Sequence, residues 1–218
     1  MATEIELKLI VDGDEFDHVR AALDALVATD VRQQTNYYLD TVHADLHRQR
    51  AMLRVRTTDR GARMTLKLRP QMRDGVLEVA EWERDLPLDL SHVWRTTPPP
   101  RTSPRALEAT DWLGITGHLP EPIADDAALH TLGAMQNLRR VYAIDLQQLG
   151  GDSVQRVLIE LDHCQFSQGD SRFELELEHP RAAEFAPIIQ NWLQSLGVHA
   201  TVADETKYAQ FLRLLARA

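Results

Sequence analysis

One cysteine, Cys164, stands among 218 residues, so the chain can form no internal disulfide and offers no thiol pair to a metal. It reads as a small strand residue. Long apolar runs are missing too, and the opening MATEIELKLIV has neither the basic start nor the apolar stretch of a secretory signal. The expectation is a soluble cytoplasmic protein with no membrane partner. No Gly-rich phosphate loop of the GxxxxGK(S/T) kind occurs, so any phosphate would have to be held by side chains. The nine histidines lack paired metal-ligand spacing. Ser91, Ser103 and Ser153 lie in no nucleophile motif, and a covalent mechanism is not suggested. Base is not in excess either: 24 Lys and Arg against 33 Asp and Glu give a net charge of −9, which argues against broad nucleic-acid binding.

What is present suffices for one sizeable core, since 44% of the residues are hydrophobic. A single domain over residues 1–218 is the simplest expectation. The charges are unevenly placed: Arg48 to Arg73 holds nine bases and one acid, whereas Asp74 to Asp89 holds six acids and one base. Such runs usually mark a solvated face, so spacing must decide.

Thr3 to Val11 alternates without a break, Ile5, Leu7, Leu9 and Val11 opposite Glu4, Glu6 and Lys8, which is a strand of period two. Asp14 then reads as the cap of an amphipathic helix to about Thr29. Strand signals follow at Gln34–Thr41, Ala51–Thr58, Arg63–Arg69 and Val76–Leu86. Residues from about 89 to 133 read as a helical insertion, with TTPPPRTSP preceding a helix over Arg105–Leu113 capped by Ser103 and Pro104. Strands resume at Met135–Leu149, Ser153–His163 and Phe166–Glu178. A helix over Arg181–Leu196 and a last one capped by Asp204 close the chain. Eight strands in two groups predict an α+β fold, mainly antiparallel: a closed eight-stranded β-barrel with surrounding helices, which leaves no open edges.

Residues two apart share a strand face. On that basis the charges sort into acidic pairs, Glu4 with Glu6, Glu81 with Glu83, Glu160 with Asp162, and Glu174 with Glu176 and Glu178. Arg54 with Arg56 and Lys67 with Arg69 form basic pairs, while Lys8 shares the face of Glu4, and Arg156 that of Glu160. A sheet wet on one side would also alternate in this way. Like-signed neighbours on one face repel, however, and a ligand carrying both divalent cations and oxyanions would offset the repulsion of both kinds. A metal-complexed phosphate chain has that character, with Mg²⁺ or Mn²⁺ held by carboxylates and phosphate oxygens held by Arg and Lys.

EIELK, YYLDT, LRVR, TLKLR, IELD and ELELE occur in that order over nearly the whole chain. In this the sequence resembles the CYTH superfamily, the triphosphate tunnel metalloenzymes. The resemblance implies an eight-stranded antiparallel tunnel that holds a triphosphate with divalent metal, Mg²⁺ or Mn²⁺. It makes Glu4, Glu6, Glu174 and Glu176 the expected metal ligands, and Glu4, Glu6, Lys8 and Glu176 the expected catalytic groups. Lys8, Arg54, Arg56, Lys67, Arg69, Arg139 and Lys207 would bind phosphate. Glu81, Glu83, Arg156, Glu160, Asp162 and Glu178 would line the tunnel. Val79 and Ala80 stand where relatives are expected to carry an Arg. Of Arg139 and Arg140, the first is expected to face inward, because Leu138, Tyr142 and Ile144 share the parity of the second. The activity implied is hydrolysis of inorganic triphosphate to pyrophosphate and phosphate. Alternatives are a class IV type adenylate cyclase, a thiamine or nucleoside triphosphatase, and a polyphosphate-binding module without turnover. The expected partner is a small-molecule triphosphate, with no sequence-specific nucleic acid.

Overall fold

The structure is a computed structural model that describes residues 2–96, 116–124, 127–167 and 169–217. Strands β1 (Ala2–Ile10), β2 (Thr29–Thr41), β3 (Ala51–Thr57), β4 (Ala62–Arg73) and β5 (Val76–Asp85) come first, with helix α1 (Gly13–Leu26) after β1 and the short α2 (Asp45–Arg48) after β2. Helix α3 (Leu88–Thr96) follows, then β6 (Leu129–Asp145), β7 (Arg156–Phe166), β8 (Ser171–Glu178), helix α4 (Ala182–Ser195), the two-residue β9 (Thr201–Val202) and helix α5 (Lys207–Leu215). The sheet order is β5-β4-β3-β2-β6-β7-β8-β1-β9, and an additional pairing of β5 with β1 closes it. The architecture is a closed eight-stranded antiparallel β-barrel with helices around it.

The chain packs as two compact units. The first comprises Met1–Thr3, Gln33–Pro70 and Val79–Gln136. Its core joins Leu39, Leu53, Val55, Met64 and Leu66 of the strands to Leu46 of α2 and Trp94 of α3. The buried Asp40 carboxylate accepts the backbone N–H groups of Thr41, Leu46 and His47 at 2.7, 2.9 and 3.0 Å, which anchors α2 to the end of β2.

The second unit comprises Glu4–Arg32, Gln71–Glu78 and Asn137–Ala218. There Leu7, Leu9, Ile159, Leu161, Leu175 and Leu177 pack against Phe16, Val19 and Leu23 of α1 and Phe185, Ile189 and Trp192 of α4. Each such side chain stabilises the fold by about 1.5–3 kcal/mol when fully buried. Gly75 has φ +76°, and a Cβ there would lie 2.5 Å from Val202 Cγ1, so the turn between β4 and β5 excludes a side chain. That close approach lets the Gly75 carbonyl accept the Lys8 N–H at 2.7 Å.

Several boundaries differ from those read in the sequence. Helix α1 starts after Asp12, so Asp14 lies in its first turn, and it ends at Leu26. Strand β2 accordingly begins at Thr29 and not Gln34, and β6 at Leu129 and not Met135. In both stretches pairing with neighbours outweighs weak local alternation. Strand β6 ends at Asp145, where a 3-10 turn over Leu146–Leu149 takes over, and β7 runs to Phe166. The hairpin there closes by the Phe166 N–H donating to the Asp170 carbonyl at 2.9 Å, which delays β8 to Ser171. Helix α5 is capped by Thr206 and not Asp204: the Thr206 hydroxyl accepts the Ala209 N–H. The helix expected over Arg105–Leu113 lies outside the described residues.

Candidate active site

In the second unit the apolar faces of β1, β7 and β8 take the core, so the opposite faces turn away from α1 and α4. Strand register sets Lys8 opposite Glu176 on β8, and Glu176 and Glu174 opposite Glu160 and Asp162 on β7. Glu6, Lys8, Arg139, Asp162, Arg172, Glu174 and Glu176 are all buried. Lys8 donates to Glu176 and lies 2.9 Å from Glu6. Arg139 forks onto Asp162 at 2.8 and 2.6 Å, reaches Glu176 at 2.7 Å and pairs with Glu160. Lys207, the first residue of α5, places its ammonium 2.6 Å from Asp162, 2.6 Å from Glu174 and 2.8 Å from Glu176.

These groups hold one another in the charged state. Burial would raise Asp162, but Arg139 and Lys207 hold it below the ordinary carboxylate range. Burial acts on Glu176 in the same way and is outweighed by Lys207, Lys8 and Arg139. For Lys8 and Lys207 burial favours the neutral amine, yet the facing carboxylates keep both above their ordinary value. Carboxylate oxygens of Asp162, Glu174 and Glu176 lie within 4.8 Å of one another, a set able to take a hard cation.

The first unit carries a second, less acidic group of charges, on strand faces turned away from Leu53, Val55 and Leu66. Arg54 donates to the Thr65 hydroxyl at 3.3 Å, and that hydroxyl donates to Glu83 at 2.8 Å. Arg56 donates to Asn36 Oδ1 at 2.9 Å, and Lys67 lies 3.5 Å from Glu81.

An antiparallel barrel whose charged faces carry this order of Glu, Lys and Arg is matched by a known family: residues 2–208 fit the family model described as CYTH domain. The chain belongs to the CYTH domain family. Solved structures share the fold. A Hippeastrum protein, HpAC1, described as a candidate adenylyl cyclase with a dominant triphosphatase activity, is 24% identical, with 96% of this chain and 95% of that one covered at a TM-score of 0.79. A candidate adenylate cyclase from Bacillus halodurans is 21% identical over 97% and 99% of the two chains, at a TM-score of 0.62. PH1819 from Pyrococcus horikoshii is 15% identical over 96% and 98%, at a TM-score of 0.57. No curated protein sequence matches the chain.

Within this CYTH chain the expected residues are placed unequally. Glu6, Lys8, Arg139, Glu160, Asp162, Glu174, Glu176 and Lys207 are brought into one network. Glu4 is half-buried on the same strand as Glu6, and Glu178, at the end of β8, is exposed opposite Glu6. Arg156 is exposed and donates to the Ala143 carbonyl at 3.4 Å. Arg69 is exposed with φ +50°, which interrupts the alternation that would have set it beside Lys67. Residue 139 turns inward, whereas Tyr142 and Ile144, of the other parity, enter the apolar core.

Sequence reading passed over Arg172. It is buried, donates to Glu174 Oε1 at 2.6 Å, and holds Gln210 Oε1 and the Glu205 carbonyl at 2.8 Å each. The signal was available, since Arg172 shares the parity of Glu174 and Glu176. Cys164 is buried, with its thiol donating to Asn137 Oδ1 at 3.4 Å, and burial raises its pKa, so it is no nucleophile. Trp82, Trp94 and Trp192 pack on apolar cores.

Proposed function

We propose that this chain hydrolyses inorganic triphosphate to pyrophosphate and phosphate with Mg²⁺ or Mn²⁺, as one catalytic domain acting on a small molecule in the cytoplasm. The buried carboxylate set of Asp162, Glu174 and Glu176, surrounded by Lys8, Arg139 and Lys207, carries the reading. Burying this many ions costs several kcal/mol each before pairing, and hydrophobic residues would fill the same space with less penalty. A ligand of both signs explains why the charges are there. Family membership and the triphosphatase activity in the description of the Hippeastrum protein support the same reading. Among the described residues no helix is long and apolar enough to cross a membrane.

The donor set fits a hard divalent ion, being three oxygen ligands within 4.8 Å. Glu174, Glu176 and Asp162 would hold it, with Glu4 and Glu6 from β1 as further ligands. When bound, such an ion supplies charge neutralisation and polarisation at phosphate oxygens. Lys8, Arg139 and Lys207 act as the bases of the resting network and exchange carboxylate partners for phosphate oxygens when the anion arrives. Within the first unit, Arg54, Arg56 and Lys67 are the bases suited to phosphate oxygens, with Arg69 as an outer base. Glu81 and Glu83 orient Lys67 and Arg54, Glu160 orients Arg139, and Arg156 and Glu178 lie at strand ends. Positive charge held around the leaving pyrophosphate stabilises the transition state electrostatically.

Incubating the protein with triphosphate, ATP and thiamine triphosphate, each with Mg²⁺ or Mn²⁺, tests this. Phosphate release is expected to be fastest from triphosphate and to stop when the metal is chelated. Undiminished hydrolysis with chelator, or conversion of ATP to a cyclic nucleotide without triphosphate hydrolysis, would overturn it.

A further inference from the structure

We propose that Asn36 is a substrate-contacting donor: its side-chain Nδ2, together with Nε of Arg54, binds an oxyanion oxygen of the phosphate chain. This rests on the triphosphate reading and adds to it a neutral residue that charge patterns could not reveal.

Asn36 lies on β2 and is fully buried. Its neighbours of the other parity, Tyr37 and Leu39, belong to the apolar core, so Asn36 points to the charged face. Across the β2–β3 pair Asn36 stands opposite Arg56, and Tyr38 opposite Arg54. Arg56 Nε donates to Asn36 Oδ1 at 2.9 Å. A guanidinium has only donors, so the amide atom facing it must be the carbonyl oxygen, and this sets the orientation of the amide.

Nδ2 then points elsewhere, and it is buried with no hydrogen-bond partner. Arg54 Nε, one strand away, is in the same state, although another nitrogen of the same side chain bonds Thr65. Buried polar atoms are nearly always paired, and an orphan is costly. Two groups that can only donate cannot satisfy each other. The missing partner must be an acceptor, and with the positive charges of Arg54 and Arg56 beside it an anionic oxygen is favoured over a neutral one. A linear phosphate chain presents such oxygens.

The competing explanation is that Asn36 merely orients Arg56. Asn36→Asp keeps the acceptor for Arg56 and removes the N–H donor, and Arg54→Lys removes the other orphan donor without adding negative charge, so the two variants together separate the readings. Calorimetric titration with inorganic triphosphate and with orthophosphate, with and without Mg²⁺, reads the affinity. Thermal unfolding in phosphate-free buffer reads the fold. Asn36→Asp is expected to weaken triphosphate binding about tenfold or more. Its Tm without anion should equal or exceed the wild-type value, because an orphan donor is gone and a carboxylate faces Arg56. Repulsion by the new carboxylate alone would weaken binding in Asn36→Asp but leave Arg54→Lys unchanged, since Arg54→Lys adds no negative charge.

Unchanged triphosphate affinity in Asn36→Asp would overturn the assignment. If that variant does not fold, Arg54→Lys carries the test, since it keeps the charge and removes the Nε donor. It is expected to weaken binding severalfold, and equal affinity would overturn the proposal. Wild-type protein that binds triphosphate without hydrolysing it, with binding lost in Asn36→Asp, would sustain the donor assignment and end the hydrolase reading. Wild-type hydrolysis with undisturbed binding in the variant would do the reverse. Absence of any phosphate binding by the wild type would overturn both.

Discussion

Lys8 and Glu176 stand directly opposite each other in the β1–β8 pairing, and the Lys8 ammonium donates to the Glu176 carboxylate although the two residues are 168 positions apart in the chain. Both are buried. Removing one partner of a buried pair leaves the other charge uncompensated. Lys8→Met is therefore expected to destabilise the protein by roughly 3 kcal/mol, the low end of the range for such losses, because Arg139 and Lys207 still face Glu176. Urea unfolding checks this, and a cost near zero would mean that Lys8 is dispensable to the charge balance.

Arg56 and Arg60 carry the same charge, but Arg56 is half-buried on β3 and bonded to Asn36 whereas Arg60 is exposed in the following turn. Arg56→Ala is expected to weaken triphosphate binding by about ten- to a hundred-fold, the range for a lost charge-assisted contact. Arg60→Ala should change it little, since an exposed cation is screened. Similar affinities for the two variants would show that the basic run is only a solvated surface.

Tyr142 donates its hydroxyl to Asp24 at 2.9 Å. Burial and this bond push its pKa from 10.0 up to about 12. The neutral phenol is the form that folding favours, so its contribution to stability is full below pH 10.0 and is lost as the pH rises through about 12. Subtracting the phenolate absorbance titration of Tyr142→Phe from that of the wild type should leave a single step near 12. A step at the ordinary value would contradict the buried bond.

The cap of α5 bears on Lys207, which begins that helix. Thr206 satisfies the Ala209 N–H, so Thr206→Ala is expected to cost about 1 kcal/mol, while Asp204→Ala, at an exposed position outside the cap, should cost less than half of that. Thermal or urea unfolding of the two variants distinguishes them. Equal losses would place the helix start where the sequence alone put it.

Much of the barrel could be read from the chain because alternation is a local property. Glu6 with Lys8, Arg54 with Arg56, and Glu174 with Glu176 sit two apart, and a period of two assigns each to a face before any partner strand is known. The inward turn of Arg139 followed from the same parity, once Tyr142 and Ile144 were given to the core. Where the local signal was weak, at the starts of β2 and β6, the boundaries shifted with the strand pairing. Arg69 departed from alternation through a left-handed backbone angle that no side-chain pattern announces.

Charge type and strand face were thus properties of the sequence by itself, since they depend on residues a few bonds apart. Which charges meet was decided by tertiary structure. Asp162 joins Glu174 and Glu176 because β7 and β8 pair in one register, and a slip of one residue would turn it to the other face. Lys207 reaches the same carboxylates from a helix start 31 residues beyond Glu176. Arg172 and Asn36 gained their significance only when their hydrogen-bond partners, or the lack of one, became visible in the folded chain. Register and burial are set by the cooperative packing of distant segments, and no window of local sequence contains them.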